Sequence, residues 1–450
     1  MAEVQLPTYD IVIFGASGFT GKHVVREALK FLSPDSPLKT LALAGRNASK
    51  LSETLKWAST STSHPTIPLL VADTSDPPSL RRMASQAKVL LNCVGPFRLH
   101  GDPVVDACVE AGCNYLDICG EPEFMEKMEA VYHEKAVEKC SLVISACGFD
   151  SIPAEFGFMF NSSHWVYPAV PNRIEAYLYA ESDKKIVGNF ATFESAVLGL
   201  ANSDKLTKLR RSRRRRARPS ISGYAPPRES RIERQKELGL WALKIPSADA
   251  TVVRRTLSIL TENPNGLQGV NEHPKQEEKR IAFWSRVKPA HFGVKVASKN
   301  LLDLLPWITV GLSIGRLGGS SLGRWFLLTF PTVFSLGKFR KKGPTKEQLE
   351  SASFKMWFVG HGFSDAKLAS RRNAAPDTEI ITRVMGPEFG YLTTSIILVQ
   401  CALIVLERRG DLPKGGVFPP GIVFGPTDLQ DRLQRNGVCF DLISKRQFNT

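Results

Sequence analysis

The sequence lacks most of the short signatures that announce a particular chemistry. None of its eight cysteines forms a CxxC pair, and several lie inside apolar runs. That excludes a disulfide frame and fits buried thiols in a reducing compartment. The eight histidines show no HxxxH or similar spacing, so no metal site is expected. No tyrosine is followed by lysine four residues on, which excludes a Tyr-x-x-x-Lys dehydrogenase mechanism at the level of motif. The N-terminus shows no signal-peptide pattern, and the residues ahead of Tyr9 include Glu3 and no arginine, unlike a mitochondrial presequence. Residues 301–339 are strongly apolar, but Asp303, Arg316 and Arg324 interrupt them. The longest uncharged run there is the 13 residues between Arg324 and Lys338, short of the about 20 that span a bilayer. No internal repeat is visible.

What is present begins with size and charge. A chain of 450 residues predicts roughly two or three domains and a large core. The hydrophobic share of 43% and the charged share of 23% are ordinary. The net charge of +15 is not, and about half of it sits in one stretch, KLRRSRRRRAR, from Lys208 to Arg218.

The first 150 residues alternate between strand-like runs (9–14, 38–44, 68–72, 88–94, 114–118 and 141–146) and helix-like segments. Near-continuous apolar strands alternating with helices indicate a parallel sheet covered on both faces. Asp76-Pro77 and Asp102-Pro103 read as helix caps with proline at the first helical position, and Gly112 as a left-handed helix end. Beyond Pro153 the rhythm changes. Residues 173–182 alternate like a strand, 188–201 look helical, and 203–234 read as a mobile polar loop that carries the arginine run. Residues 248–260 and 281–296 read as antiparallel strands, and 353–362 and 378–385 are strand-like. Residues 395–407 form an apolar helix, and 428–436 a short amphipathic one with Asp428 as its cap.

The stretch IVIFGASGFTG places Gly15, Gly18 and Gly21 between the first strand and a helix over 18–32. That context predicts a dinucleotide pyrophosphate at the helix N-terminus, cradled by Gly15, Ala16, Ser17, Gly18, Phe19, Thr20 and Gly21. At the end of the second strand an NAD site usually carries an acid for the ribose. Here the sequence is Ala44-Gly45-Arg46-Asn47. Arg46, beside Asn47, is placed for a 2′-phosphate, because a guanidinium fork suits phosphate, so the expected cofactor is NADP(H). Asp73 ends the third strand on the adenine side. Asn92, Val94, Gly95 and Pro96 end the fourth, on the nicotinamide side.

These stretches resemble the saccharopine dehydrogenase-like oxidoreductases, in particular the eukaryotic, plant-like branch. The resemblance rests on YDIVIFGASGFTG (9–21), LALAGRN (41–47), the run from Asn92 to Glu121 and SACGFDSIPAEFG (145–157). It extends through PSADATVVRR (246–255), PAHFGVK (289–295) and GGVFPPG (415–421), nearly the whole chain. The branch is similar to bacterial trans-acting enoyl reductases of glycolipid assembly. The resemblance implies an α/β fold: a Rossmann-type doubly wound parallel sheet that binds NADP, with a second α+β domain closing over the nicotinamide. It also implies a link to lipids.

The expected organisation is a Rossmann domain over 1–155, an α+β substrate domain over 156–395, and a C-terminal segment over 396–450 that packs back on the first domain. The expected activity is NADPH-dependent reduction of a C=C or C=N bond in a hydrophobic, lipid-linked substrate. Two alternatives stand beside it: an inactive lipid-surface scaffold that keeps the fold, and a saccharopine dehydrogenase of lysine metabolism. The third would need several fixed arginines for two amino-acid carboxylates, and the densest arginine cluster lies in the polar loop instead. A proton donor is required within reach of the substrate. His100, Asp117 and Glu121 are the candidates, with Asp150 beside them; a loop histidine and helix-capping acids are their structural alternatives.

Two readings of residues 301–339 remain: a buried helical pair, or a segment at a membrane interface, favoured by Trp307, Trp325 and the basic KFRKK at 338–342. The arginine run is a solvated loop, an anionic-membrane contact or a nucleic-acid site, the last without interleaved aromatics to support it. The expected partners are therefore a hydrophobic small molecule and a membrane or lipid-droplet surface, not nucleic acid. The expected location is cytosolic and lipid-associated. The mitochondrion, implied by the plant branch, is the alternative.

Overall fold

The computed structural model describes residues 7–59, 66–227, 230–371 and 374–448; Glu3 and the start of the segment ahead of Tyr9 lie outside them. Six strands alternate with helices as the apolar rhythm demands: β1 (Tyr9–Phe14), β2 (Leu41–Gly45), β3 (Leu69–Val71), β4 (Ala87–Asn92), β5 (Asn114–Asp117) and β6 (Leu142–Ile144). They pair in parallel in the order β6-β5-β4-β1-β2-β3. This is the doubly wound arrangement whose order reverses between β1 and β4, where a crevice opens at the carboxyl ends of the strands. Alternate residues serve opposite faces. Ile11 and Ile13 join one core, and Val12 and Phe14 the other.

The chain then returns to this sheet from far away. Gly416–Phe418 adds a seventh parallel strand beside β6. The helix Thr394–Glu407 lies under β4 against the helix Phe19–Leu29. The second sheet, also of seven strands, is mixed. Val170–Ser182 runs at its centre, parallel to His291–Ser298 and antiparallel to Ala352–Phe363. Its outer positions include Thr378–Pro387 and the last strand, Cys439–Gln447. The helix Ile152–Ser163 links the two sheets, and its Phe156, Phe158 and Met159 pack with Phe354, Met356 and Phe358.

Several sequence readings are corrected here. Residues 248–260 are not a strand but most of the helix Asp249–Glu262. Their β-branched content suggests a strand, yet Val252, Val253, Thr256, Leu257 and Ile259 recur at helical spacing and form its buried face. Residues 281–296 divide into the end of the helix Pro274–Arg286 and the strand His291–Ser298. The polar segment 203–234 is not a loop throughout: Ser203–Ser212 is a helix and Ile232–Gln235 an edge strand. Asp102 is the first residue of its helix rather than the cap. Its carboxylate is taken by the Tyr132 hydroxyl, 2.7 Å away, and by Lys127. Asp428 holds the cap position of Leu429–Arg435 but makes no cap hydrogen bond; it pairs with Arg432 at 3.0 Å. Gly112 does end its helix in the left-handed region, at φ 67°.

Candidate functional site

The glycine turn is tight for steric reasons that are local to it. Gly15 has φ +80°, and a Cβ there would sit 2.7 Å from Val94 Cγ2, so it is pressed against the loop after β4. A Cβ on Gly21 would lie 2.1 Å from the Gly15 carbonyl oxygen, inside any allowed contact. The helix Phe19–Leu29 therefore starts directly on the turn. Gly18 is its N-cap, with no side chain to cap the first-turn amides. Those amides have no intrahelical acceptor and point to where an anion would sit. The turn fits a pyrophosphate: it is a cradle that a single added methyl group would fill.

At the ends of β2 and β3, Arg46 is exposed beside Asp73. Two hydrogen bonds from Ser75 hold the Asp73 carboxyl below its usual range, and the Arg46 charge adds to the effect. Asn47 caps the next helix, its Oδ1 accepting the Lys50 amide at 3.0 Å, so its side chain is committed to structure. His100 belongs to this end too. Its Nδ1 lies 3.3 Å from the Thr74 hydroxyl.

The loops after β4 and β5 are braced from within. Buried Asn92 donates to the Tyr115 hydroxyl and accepts the Val94 amide, both at 3.0 Å. The peptide bond between Gly95 and Pro96 is cis. Glu121 accepts the amides of Phe97 (2.8 Å) and Arg98 (3.2 Å), which fixes the turn that follows Pro96. Asp117 accepts from the Ala146 and Cys119 amides and from the Tyr115 hydroxyl at 2.8, 3.0 and 2.9 Å. Burial pushes its carboxyl up to about 6, against the pull of those donors. The fold gives both acids structural work.

Elements from beyond residue 150 cover this end. The helix Phe190–Ala201 lays Ser195 on Glu121 at 3.1 Å, and its Leu198 carbonyl accepts from Arg98. The Tyr391 hydroxyl accepts the Asn189 amide at 2.5 Å and packs edge-on against Phe19 of the glycine turn. Asp150, on the loop after β6, is exposed, yet the surrounding protein raises its carboxyl. A Cβ on Gly120 would lie 2.7 Å from Asp150 Oδ2, so the glycine makes room for it. Asp249 is buried, hydrogen-bonded to Ser247, with its Oδ1 unpartnered. Burial pushes it up to about 7, and the Asp150 charge adds to the rise. Sequence reasoning missed Asp249, Tyr391 and Ser195 as neighbours of the crevice. No short-range signal marks them, because each reaches it from a distant part of the chain.

Among the described residues, no group of three or more His, Cys, Asp and Glu side chains could hold a metal ion. A broad concavity of about 460 Å³, lined by Asp10, Lys39, Lys88 and Glu407 among others, opens at the amino-terminal end of β1, away from the glycine turn.

Comparison with known proteins agrees with this geometry. Residues 11–144 match the family model described as the saccharopine dehydrogenase NADP binding domain. The Arabidopsis thaliana protein named "probable mitochondrial saccharopine dehydrogenase-like oxidoreductase" is 63% identical over 98% of this chain and 97% of its own. The Caenorhabditis elegans "lipid droplet localized protein" is 31% identical over 97% of this chain and 99% of its own. The solved saccharopine dehydrogenase (L-Glu forming) of Saccharomyces cerevisiae superposes with a TM-score of 0.50 at 11% identity, covering 97% of this chain and all of that one, which shows a shared fold. The chain belongs to the saccharopine dehydrogenase-like oxidoreductase family and is an NADP-dependent oxidoreductase.

Proposed function

We propose that the enzyme uses NADPH to reduce a C=C or C=N bond in a hydrophobic, lipid-linked substrate while docked on a lipid surface. The observation that carries this reading is an uncovered apolar layer beside the crevice. The helices Leu305–Leu317, Ser321–Thr329 and Pro331–Phe334 bury Val310, Ile314 and Leu327 against Phe193 and Val197 of the Phe190–Ala201 helix. Their other side faces outward: Leu322 is 65% exposed, Trp325 55% and Val333 67%, with Leu312 and Phe330 beside them in sequence and also exposed. Contiguous apolar exposure of this kind marks a lipid or protein contact, and the indole at its edge suits a headgroup boundary. The same Phe190–Ala201 helix touches Glu121 and Arg98, so one element joins the apolar layer to the loops of the crevice.

In this reading Gly15 to Gly21 hold the pyrophosphate and Arg46 the 2′-phosphate. Bound NADPH supplies the hydride. Asp150 supplies the proton. It lies beside Gly120 on the loop after β6, has no hydrogen-bond partner among the described residues, and is kept protonated more readily by desolvation of its carboxyl. The test is a fluorescence titration with NADPH and NADH, together with flotation on phosphatidylcholine vesicles. The reading requires tighter binding of NADPH and co-flotation with vesicles. Failure of both overturns it; nucleotide binding without flotation returns the enzyme to a water-soluble substrate.

A further inference from the structure

The arginine run that looks uniform in sequence is divided by the fold into two sets. Arg210 grips Glu126 with two nitrogens, Nε at 3.0 Å from both carboxylate oxygens and Nη2 at 2.5 Å from one. Arg213 lies 3.5 Å from Glu129, and Arg216 and Arg255 also close on it. Both glutamates are buried on the helix Pro122–Glu138. Burial alone would raise the Glu129 carboxyl; the charges of Arg255, Arg216 and Arg213 outweigh it and lower it. These inward arginines are therefore satisfied, and they fasten the segment to the first domain.

The second set has no such work. Arg211, Arg214, Arg215 and Arg218 are exposed, and none forms an ion pair among the described residues. Their position is informative. Fastened to the helix Pro122–Glu138 by Arg210 and Arg213, their segment begins beyond the helix Phe190–Ala201, which is about 18 Å long at 1.5 Å per residue. At the start of that helix, Gly188–Asn189 pairs with Phe339–Arg340, which brings exposed Arg340, Lys341 and Lys342 to its other end. The apolar helices pack along the stretch between. Along the chain the exposed groups run basic, apolar, basic.

We propose that Arg211, Arg214, Arg215 and Arg218, with Arg340, Lys341 and Lys342 at the opposite end, bind the phosphates of an anionic lipid surface on which the apolar helices rest. The inference rests on the lipid-surface reading above and adds the charge of the lipid. Phosphate suits arginine forks, and basic residues flanking an apolar face draw it to anionic headgroups. A single-stranded nucleic acid would need aromatic platforms among the arginines, and the stretch from Lys208 to Arg218 has none.

The test uses the full chain and two vesicle types, phosphatidylcholine alone and phosphatidylcholine with phosphatidylserine. The intact protein should float at least about tenfold more tightly on the anionic vesicles, with the preference falling as salt rises. Replacing Arg211, Arg214, Arg215 and Arg218 together by glutamate should abolish the preference and leave NADPH binding and thermal stability unchanged. Arg210→Ala should do the reverse, lowering stability while keeping the preference. The proposal is overturned if the fourfold variant keeps the preference, or if a single-stranded RNA displaces the intact protein from the vesicles and the fourfold variant no longer binds that RNA. If the intact protein floats on neither vesicle type, the lipid-surface reading falls as well. Flotation on both types alike retains that reading and removes this inference alone.

Discussion

Two apolar stretches of this chain end in opposite environments. The helical stretch Phe389–Glu407 is long and apolar enough to cross a membrane, and 78% of it is buried. The helices between Leu305 and Phe334 are shorter, carry Arg316 and Arg324, and leave Leu312, Leu322, Trp325 and Phe326 in the open. Hydropathy alone would rank the first as the membrane segment. The fold reverses that ranking. Thr394–Glu407 is apolar all round and has cover on every side: β4 and β5 above it, Phe19–Leu29 and Leu429–Arg435 beside it. The exposed helices are covered by the Phe190–Ala201 helix and by Phe339 and leave their outer side open. What separates a core helix from a surface one here is the second layer, not the content of apolar residues.

The largest effect is expected where the cover is complete. Leu398→Asp places an unpaired charge in a fully buried position and should cost more than about 4 kcal/mol, read as loss of the cooperative unfolding transition. Leu322→Asp, in the exposed layer, should change stability by less than about 0.5 kcal/mol and still weaken vesicle flotation. Equal destabilisation by the two would break the comparison.

Gly21→Ala comes next. The added methyl group meets a backbone oxygen and pushes the Phe19–Leu29 helix off its turn. NADPH binding should weaken at least about tenfold while flotation persists, which separates the layer under the sheet from the layer outside it. Arg46→Ala is milder. It should remove a preference for NADPH over NADH of about 1.4 kcal/mol, roughly tenfold, seen in parallel titrations, with stability and flotation unaltered.

The smallest change is one of slope. Asp249 holds its proton up to about 7 in the folded chain, against 3.8 for an ordinary aspartate. Between those values the folded state binds more protons than the unfolded one, so this group's contribution to stability falls as pH rises from about 4 to about 7. Asp249→Asn should flatten that part of the pH–stability curve, measured by denaturant unfolding at a series of pH values, without touching flotation.

Much of the first sheet was legible. Six apolar runs became β1 to β6, with ends moved by at most three residues, because strands buried on both faces are written as near-continuous apolar residues. The glycine turn was legible for a similar reason. Gly15, Gly18 and Gly21 answer clashes with atoms a few residues away or on the neighbouring strand. The second domain was harder. Asp249–Glu262 looks like a strand when its Thr and Val content is weighed ahead of its spacing. The helix Ser203–Ser212 looks like a loop because its basic residues give no apolar stripe; Glu126 and Glu129, on a helix some eighty residues earlier, hold the segment instead. The candidate acids fared unevenly. Asp117 and Glu121 stand at the crevice but brace its loops. His100 turns to the β3 end. Asp150 is the one that the loops leave open.

By itself, then, the sequence determined the parallel sheet and the glycine turn and set Arg46 at the end of the second strand, since each depends on atoms close together along the chain. The tertiary structure decided which apolar helix is core and which faces outward, which arginines are neutralised, and which of the candidate acids are held by backbone amides. Burial and ion pairing are relations between two surfaces, and in this chain the second surface can lie about 370 residues from the first, as when Tyr391 packs against Phe19.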